Sequence, residues 1–302
     1  SVAVGFMVKI IPLLLLPVAL RRLWHQYRDR PREAAIEMGL YAVVFGLTVL
    51  VLLAPFLIGG PEWLLASVRS MLGRSSWETV WAVAEGYYGF GAVAGDRLNP
   101  AETNFAVHAS VLPWWLINLA FVGLYAFLFT RPADYSRPRP VIAFSGLTVA
   151  LVMLFNKGYS PQFLVYLLPF IVLLLPDRRG VFYSLMLTAL NVLEQPVYFV
   201  LAPDARALLL AVVAARWLVL GVLLLEFASV IWNRALQSLQ GVRRYAPAVL
   251  TVVIGLGLLS AMPGVARSYA TRLLRQDPAS SLIGYLGTEQ ARAQASLLVL
   301  ND

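Results

Sequence analysis

Near the middle of the chain two apolar runs are separated by Asn156-Lys157-Gly158-Tyr159-Ser160-Pro161-Gln162. This turn sets a cation, hydroxyls and an amide beside the start of a helix, where free backbone N–H groups and the helix dipole favour an anion. A phosphate fits that description, and so does a polar turn carrying one snorkelling lysine. A second run, Glu85-Gly86-Tyr87-Tyr88-Gly89-Phe90-Gly91, offers aromatic faces on a glycine-flexed backbone, with a carboxylate to accept hydroxyl hydrogen bonds. That is the chemistry of a sugar platform, although aromatic belts at membrane interfaces share the composition. A third set, Lys9, Glu194 and Arg216, lies inside apolar runs, where ionisable groups are costly and normally face a cavity, a partner or a ligand. Glu194 and Arg216 fall at comparable depth on consecutive runs, so an ion pair is the simple alternative to a functional role. His25 and His108 lie in loops of opposite sides and cannot share a metal, and the chain has no cysteine. No Walker loop, HExxH, GxSxG or dinucleotide fingerprint is present.

The elements that must position these groups follow from composition. Of 302 residues, 60% are hydrophobic and 13% charged, against about 45–50% and about 25% in an average soluble domain. One water-soluble core cannot hide that much apolar surface, which excludes a soluble globular enzyme. About 20 mostly apolar residues cross a bilayer as a helix, and eight candidate runs can be read, at 2–20, 39–58, 112–130, 141–155, 162–175, 181–201, 207–230 and 248–262. The expected fold is all-α: a polytopic transmembrane bundle of about eight spans. Alternate loops collect Arg21, Arg22, Arg28, Arg30 and Arg32, then Arg131, Arg137 and Arg139, then Arg178 and Arg179, then Arg234, Arg243 and Arg244. The intervening loops carry fewer cations (Arg69, Arg74, Arg97, Lys157, Arg206) and most of the acids. The positive-inside rule assigns the basic loops to the cytoplasm. The net charge of +8 is then a topology signal, and nucleic acid is not expected as a partner.

The long outer loop, 59–110, is too long to be a plain connection. Pro61 is placed to start a helix whose Leu64, Leu65, Val68, Met71 and Leu72 form one apolar stripe, as in a helix lying flat in the interface. Ser75 followed by Glu78 has capping-box spacing, which predicts a second helix carrying Trp77 and Trp81 and makes Glu78 a cap rather than a catalyst. The domain expectation is a transmembrane unit at 1–265 and the start of a soluble extracytoplasmic segment at 266–302. Residues 296–302 read as the first strand of that segment, and both ends read as cut from a longer protein.

The string from Phe155 through Lys157, Ser160, Pro161, Gln162, Phe163 and Tyr166 to Pro169 resembles the F-x-K-x-x-S-P-Q-Y-x-x-W-x-x-P signature of family 87 glycosyltransferases, with Phe163 and Tyr166 in place of the usual Tyr and Trp. Lys9-Ile10-Ile11-Pro12-Leu13 is similar to a K-x-x-P-L element in an earlier helix of that family. Ser76-Trp77 through Trp81, and Glu85 through Gly89, are similar to its outer loop. The resemblance implies a GT-C fold in the cell membrane with an extracytoplasmic active face, a polyprenyl-phosphate sugar donor (mannose-like hexose), and no cofactor or metal. It implies donor-phosphate contacts from Lys157, Ser160 and Gln162 of the string and Lys9 of the earlier helix; Arg216, from its place inside a span, is a further phosphate candidate, and Tyr159, Glu85, Tyr87, Tyr88 and His108 are the candidate substrate contacts. The family's catalytic carboxylate follows the first helix, a position upstream of Ser1, so the resemblance gives the base to none of the acids here. Membrane lipids and a glycan, lipid or protein acceptor complete the expected partners. The competing expectation is a non-catalytic or transport function, such as a lipid-linked saccharide flippase.

Overall fold

A computed structural model of the protein describes residues 2–8, 11–96, 98–103 and 105–276. Lys9, Arg97 and the stretch 277–302, which includes the expected strand, lie outside the described residues. Among the described residues the architecture is helical, with β-type pairing confined to two isolated bridges, Trp77 with Gly158 and Ala94 with Phe105.

The helices are α1 (Val2–Val8), α2 (Leu16–Gln26), α3 (Pro31–Gly59), α4 (Pro61–Gly73), α5 (Val80–Ala84), α6 (Trp114–Thr130), α7 (Pro138–Phe155), α8 (Leu164–Leu174), α9 (Arg178–Val192), α10 (Arg206–Ile231) and α11 (Gln240–Gln276). Five helical stretches are long and apolar enough to cross a membrane: Pro31–Gly59, Pro138–Phe155, Arg178–Leu201, Arg206–Ile231 and Gln237–Leu273. Trp114–Thr130 and Pro161–Leu174 are apolar but shorter. The first apolar run is not one helix. It passes from α1 through a 3₁₀ stretch, Ile11–Leu15, into α2, and Pro12 and Pro17 each remove an N–H that a continuous α-helix would use. Apolar side chains along α3, among them Leu40, Val43, Leu47, Leu50 and Val51, are exposed. So continuous an apolar surface is out of place in water and points to a lipid environment.

The core lies among α7, α8, α9, α10 and α11. Gly146 lets α7 approach its neighbours closely: a Cβ there would come within 2.9 Å of Phe170 and 3.2 Å of Phe227. Past Val192 the α9 backbone widens into π-helical turns, Leu193–Leu201. Pro196 within them has no N–H to give, and the wider turn carries the chain past it while burying Glu194 and Tyr198.

In the outer loop α4 forms with Pro61 in its first turn, and Leu65, Val68, Met71 and Leu72 of its stripe are exposed, as a helix lying on an interface requires. The capping-box expectation is corrected. The second helix is only Val80–Ala84, and its N-cap is Thr79, whose hydroxyl accepts from the Ala82 N–H at 3.2 Å. Trp77 and Glu78 precede it, because the backbone around Trp77 is engaged elsewhere. At the far end α11 runs unbroken across the 265/266 boundary.

Candidate functional site

The turn at 156–162 and the outer-loop segment before α5, separate candidates in the sequence, are joined by backbone pairing. The Trp77 N–H donates to the Lys157 carbonyl and the Tyr159 N–H to the Trp77 carbonyl, both at 3.1 Å. The Thr79 hydroxyl also donates to the Lys157 carbonyl at 3.1 Å, and the Trp81 indole to the Leu154 carbonyl at 3.0 Å. The close approach needs glycines. A Cβ on Gly158 would stand 2.0 Å from the Trp77 ring, and one on Gly91 2.4 Å from its nitrogen. Trp77 is thus wedged between the 156–162 turn and the end of the aromatic run.

This junction borders a cavity of about 680 Å³, within the size range of small-molecule sites. Lys157, Ser160, Gln162 and Phe163 line it from the turn, Arg74, Trp77 and Glu78 from the outer loop, and Gln195 from the π-helical turns. Lys157 Nζ donates to the Leu72 carbonyl at 3.0 Å and lies 5.2 Å from the Trp114 ring centre, which leaves further N–H donors for a ligand. Burial pushes the Lys157 ammonium below its ordinary range, opposed by the charge of Glu85. Arg74 covers the Trp77 ring at 4.0 Å and donates to the Gly91 carbonyl.

Arg216 does not line the cavity. Its guanidinium is 3% exposed and paired with Glu194, with Nη2 to Oε1 at 2.9 Å. It also donates to the Glu78 carbonyl and stands 3.7 Å over the Tyr159 ring. The ion-pair alternative for Glu194 and Arg216 is therefore the observed arrangement. Tyr159 is buried beneath that pair, its hydroxyl donating to Asn191 at 3.3 Å. Both residues support the turn from below.

The aromatic run is likewise spent on the loop itself. The Glu85 carboxylate accepts from the Ser110 hydroxyl at 2.5 Å, the Val111 and Leu112 N–H groups at 3.0 and 3.2 Å, and the Ser76 hydroxyl. Burial alone would raise its pKa; the Ser110 and Ser76 hydroxyls and the two N–H groups outweigh it and hold the carboxyl below the usual range. Tyr87 stacks on His108 at 4.0 Å and donates to the Phe90 carbonyl at 3.0 Å, and His108 Nε2 lies 2.8 Å from the Ser76 carbonyl. Tyr88 accepts the Tyr198 hydroxyl on its carbonyl at 3.2 Å and packs its ring under Arg206. None of Glu85, Tyr87, Tyr88 or His108 is among the residues lining the cavity.

Sequence reasoning missed two acids. Glu78, set aside as a cap, is a buried cavity-lining carboxylate whose Oε2 has no hydrogen-bond partner. Glu226, one acid in a long apolar run of α10, is fully buried at the other end of that helix and was open to the argument applied to Glu194. Comparison with protein-family models, curated proteins and solved structures returns no match to this chain. The fold and site define a helical protein with helices suited to crossing a membrane and a cavity that mixes aromatic and polar side chains.

Proposed function

We propose that this protein is an integral-membrane glycosyltransferase that moves a mannose-like hexose from a polyprenyl-phosphate donor to an extracytoplasmic acceptor. The observation that carries the reading is the cavity, where Lys157, Ser160 and Gln162 of the signature turn line one space with the aromatic faces of Trp77 and Phe163. Lys157 supplies a point charge for the donor phosphate, and Ser160 and Gln162 supply neutral hydrogen bonds beside the start of α8. Transfer cleaves the bond between the sugar's anomeric carbon and the phosphate oxygen and leaves a lipid phosphate with more negative charge than the diester. A cation at that point stabilises the leaving group as cleavage proceeds. Contacts at the two ends support the alternating, multi-span arrangement. Arg21 donates to the Arg131 carbonyl and Trp232 to the Pro132 carbonyl, all on segments that the charges assign to the cytoplasm. Arg69 donates to the Pro100 carbonyl, and the Asp204 N–H to Ser268, on segments assigned to the outside.

The test is transfer from polyprenyl-phosphate mannose by the full-length protein in proteoliposomes. Lys157→Ala should lower turnover by about 10²–10³, the loss typical of one transition-state donor, and Lys157→Arg should restore part of it. Near-normal turnover of Lys157→Ala at saturating donor would make the turn structural.

A further inference from the structure

We propose that the groove between α10 and α11 seats one acyl chain of an anionic glycerophospholipid, whose phosphate is held at the mouth by Arg244. The inference rests on the membrane-spanning helices and is independent of the transferase reading. The groove has a volume of about 580 Å³, with Leu218 and Val222 of α10 on one side and Gly241, Tyr245, Val249 and Val253 of α11 on the other. Apart from the Tyr245 hydroxyl, its lining side chains are hydrocarbon. Tyr245, Val249 and Val253 are between 48% and 61% exposed, so the groove opens on the outside of the bundle, where a spanning helix meets lipid. A Cβ on Gly241 would meet no atom within 4 Å, which leaves the mouth clear. Length decides the kind of chain. From Gly241 to Val253 the helix rises about 18 Å, close to half of the about 30 Å of hydrocarbon in a bilayer. The groove therefore starts at the basic end of α11 and stops near the midplane, which is the course of one fatty acyl chain in one leaflet.

The charges at the mouth select the headgroup. Arg179 and Arg243 are spent on the Glu226 carboxylate, one turn beyond Val222 on α10. Their sequence neighbours Arg178 and Arg244 are exposed, and among the described residues neither has a carboxylate partner. The Arg244 guanidinium stands 5.8 Å from the ring of Tyr245, at the end of the groove where a chain would join its glycerol phosphate. The first turn of α11 holds no acid, although the start of a helix favours negative charge. A lipid phosphate supplies that charge, and a guanidinium can bind two of its oxygens at once. An anionic headgroup keeps its net charge beside Arg244, whereas a zwitterionic one brings its own cation there. Basic sites beside membrane helices recruit anionic lipids for this reason.

The native chain has no cysteine, so a fluorophore can be attached to a single cysteine at Val252, which is exposed and adjoins groove-lining Val253. The full chain is placed in phosphatidylcholine vesicles, and phosphatidylglycerol or phosphatidylcholine with brominated chains is titrated in as the quencher. Quenching at position 252 should be half-complete at an about fivefold lower fraction of phosphatidylglycerol, the preference expected from one arginine at a lipid surface. The same label at Val51, on the exposed apolar surface of α3, should show no preference. Arg244→Ala should erase the preference and Arg244→Lys should keep most of it. Leu218→Trp or Val249→Trp, each filling the groove from an exposed position, should weaken quenching by both lipids. Equal quenching by the two lipids, or a preference that survives Arg244→Ala, overturns the headgroup site. Quenching unchanged in both tryptophan variants overturns the chain seat. Each of these outcomes leaves the transferase reading standing.

Discussion

At one end of α10 the Glu226 carboxylate, fully buried, takes hydrogen bonds from Arg179 at 3.1 Å, from Arg243 at 2.8 Å and from the Tyr183 hydroxyl at 3.4 Å. Arg179 in turn binds Asp177 at 2.9 Å, so the cluster contains two cations and two anions. In the other half of the molecule Glu194 is held by Arg216 in the same manner. Glu78, a short distance along the same network, has its carbonyl held by Arg216 and its carboxyl met by the Gly91 N–H, but its Oε2 is unpaired and the side chain borders a cavity. Burial is common to all three, and what separates them is completion. A satisfied buried charge ties helices together, whereas an unsatisfied one beside open space is kept at a cost to the fold that a role in binding or chemistry would explain.

The largest effect should come from breaking a completed pair. Glu194→Ala leaves Arg216 buried without its counter-charge, a change that costs about 3–5 kcal/mol when one partner of a buried pair is removed. Glu226→Ala should cost about 3 kcal/mol, the lower end of that range, because Arg179 reaches solvent. Replacing both members at once, as Glu194→Leu with Arg216→Met, should recover most of the loss, since an apolar pair of similar volume needs no compensation. Thermal unfolding in detergent measures all three. A Glu194→Ala protein as stable as wild type would remove the distinction between completed and incomplete carboxylates.

An effect smaller per pH unit sharpens the comparison through titration. Glu78 has its carboxyl raised by burial and the negative charge of Glu194 to about 8 in the folded protein, against an ordinary value of about 4.3. Between those values the folded state binds more protons than the unfolded state, so stability falls as pH rises and levels off above the folded value. The slope from this one group approaches about 1.4 kcal/mol per pH unit. Glu78→Gln, which stays neutral, should flatten that part of the curve and be at least as stable as wild type at pH 8. Unfolding midpoints of the two proteins from pH 5 to 9 check it, and parallel curves would mean that Glu78 ionises normally in the fold.

Much of the helical layout was legible because apolar runs of bilayer length leave few other options. The polar turn at 156–161, the helix α4 and the Glu194–Arg216 pair all follow from spacing and depth. What could not be read is where long-range backbone pairing overrides local signals. Ser75 and Glu78 have capping-box spacing, yet the strand-like pairing of Trp77 with 157–159 pulls the chain out of helix and hands the cap to Thr79. The π-helical turns around Pro196 have no signature in the composition of that run. At the site, Glu85, Tyr87 and His108 have the types expected of a sugar platform, and only tertiary structure reveals that their polar groups are engaged within the loop.

The smallest effect concerns that aromatic run. The Tyr87–His108 stack and the hydrogen bonds of its members fix the loop from Ser76 to Ala109, and an aromatic pair contributes about 0.5–1.5 kcal/mol beyond its burial. Tyr87→Ala should therefore lower stability by about that amount while transfer at saturating substrates stays close to wild type, because the ring is not part of the cavity lining. His108→Ala should match it, and the double variant should cost little more than either single one, since both remove the same contact. Unfolding of the three variants together with transfer assays makes the cycle. Loss of transfer in Tyr87→Ala at unchanged stability would return this run to the role of a sugar platform and move the sugar site away from Lys157. Additive stability losses would show instead that the two rings act on the loop separately, with Glu85 and its four donors as the loop's main fastening.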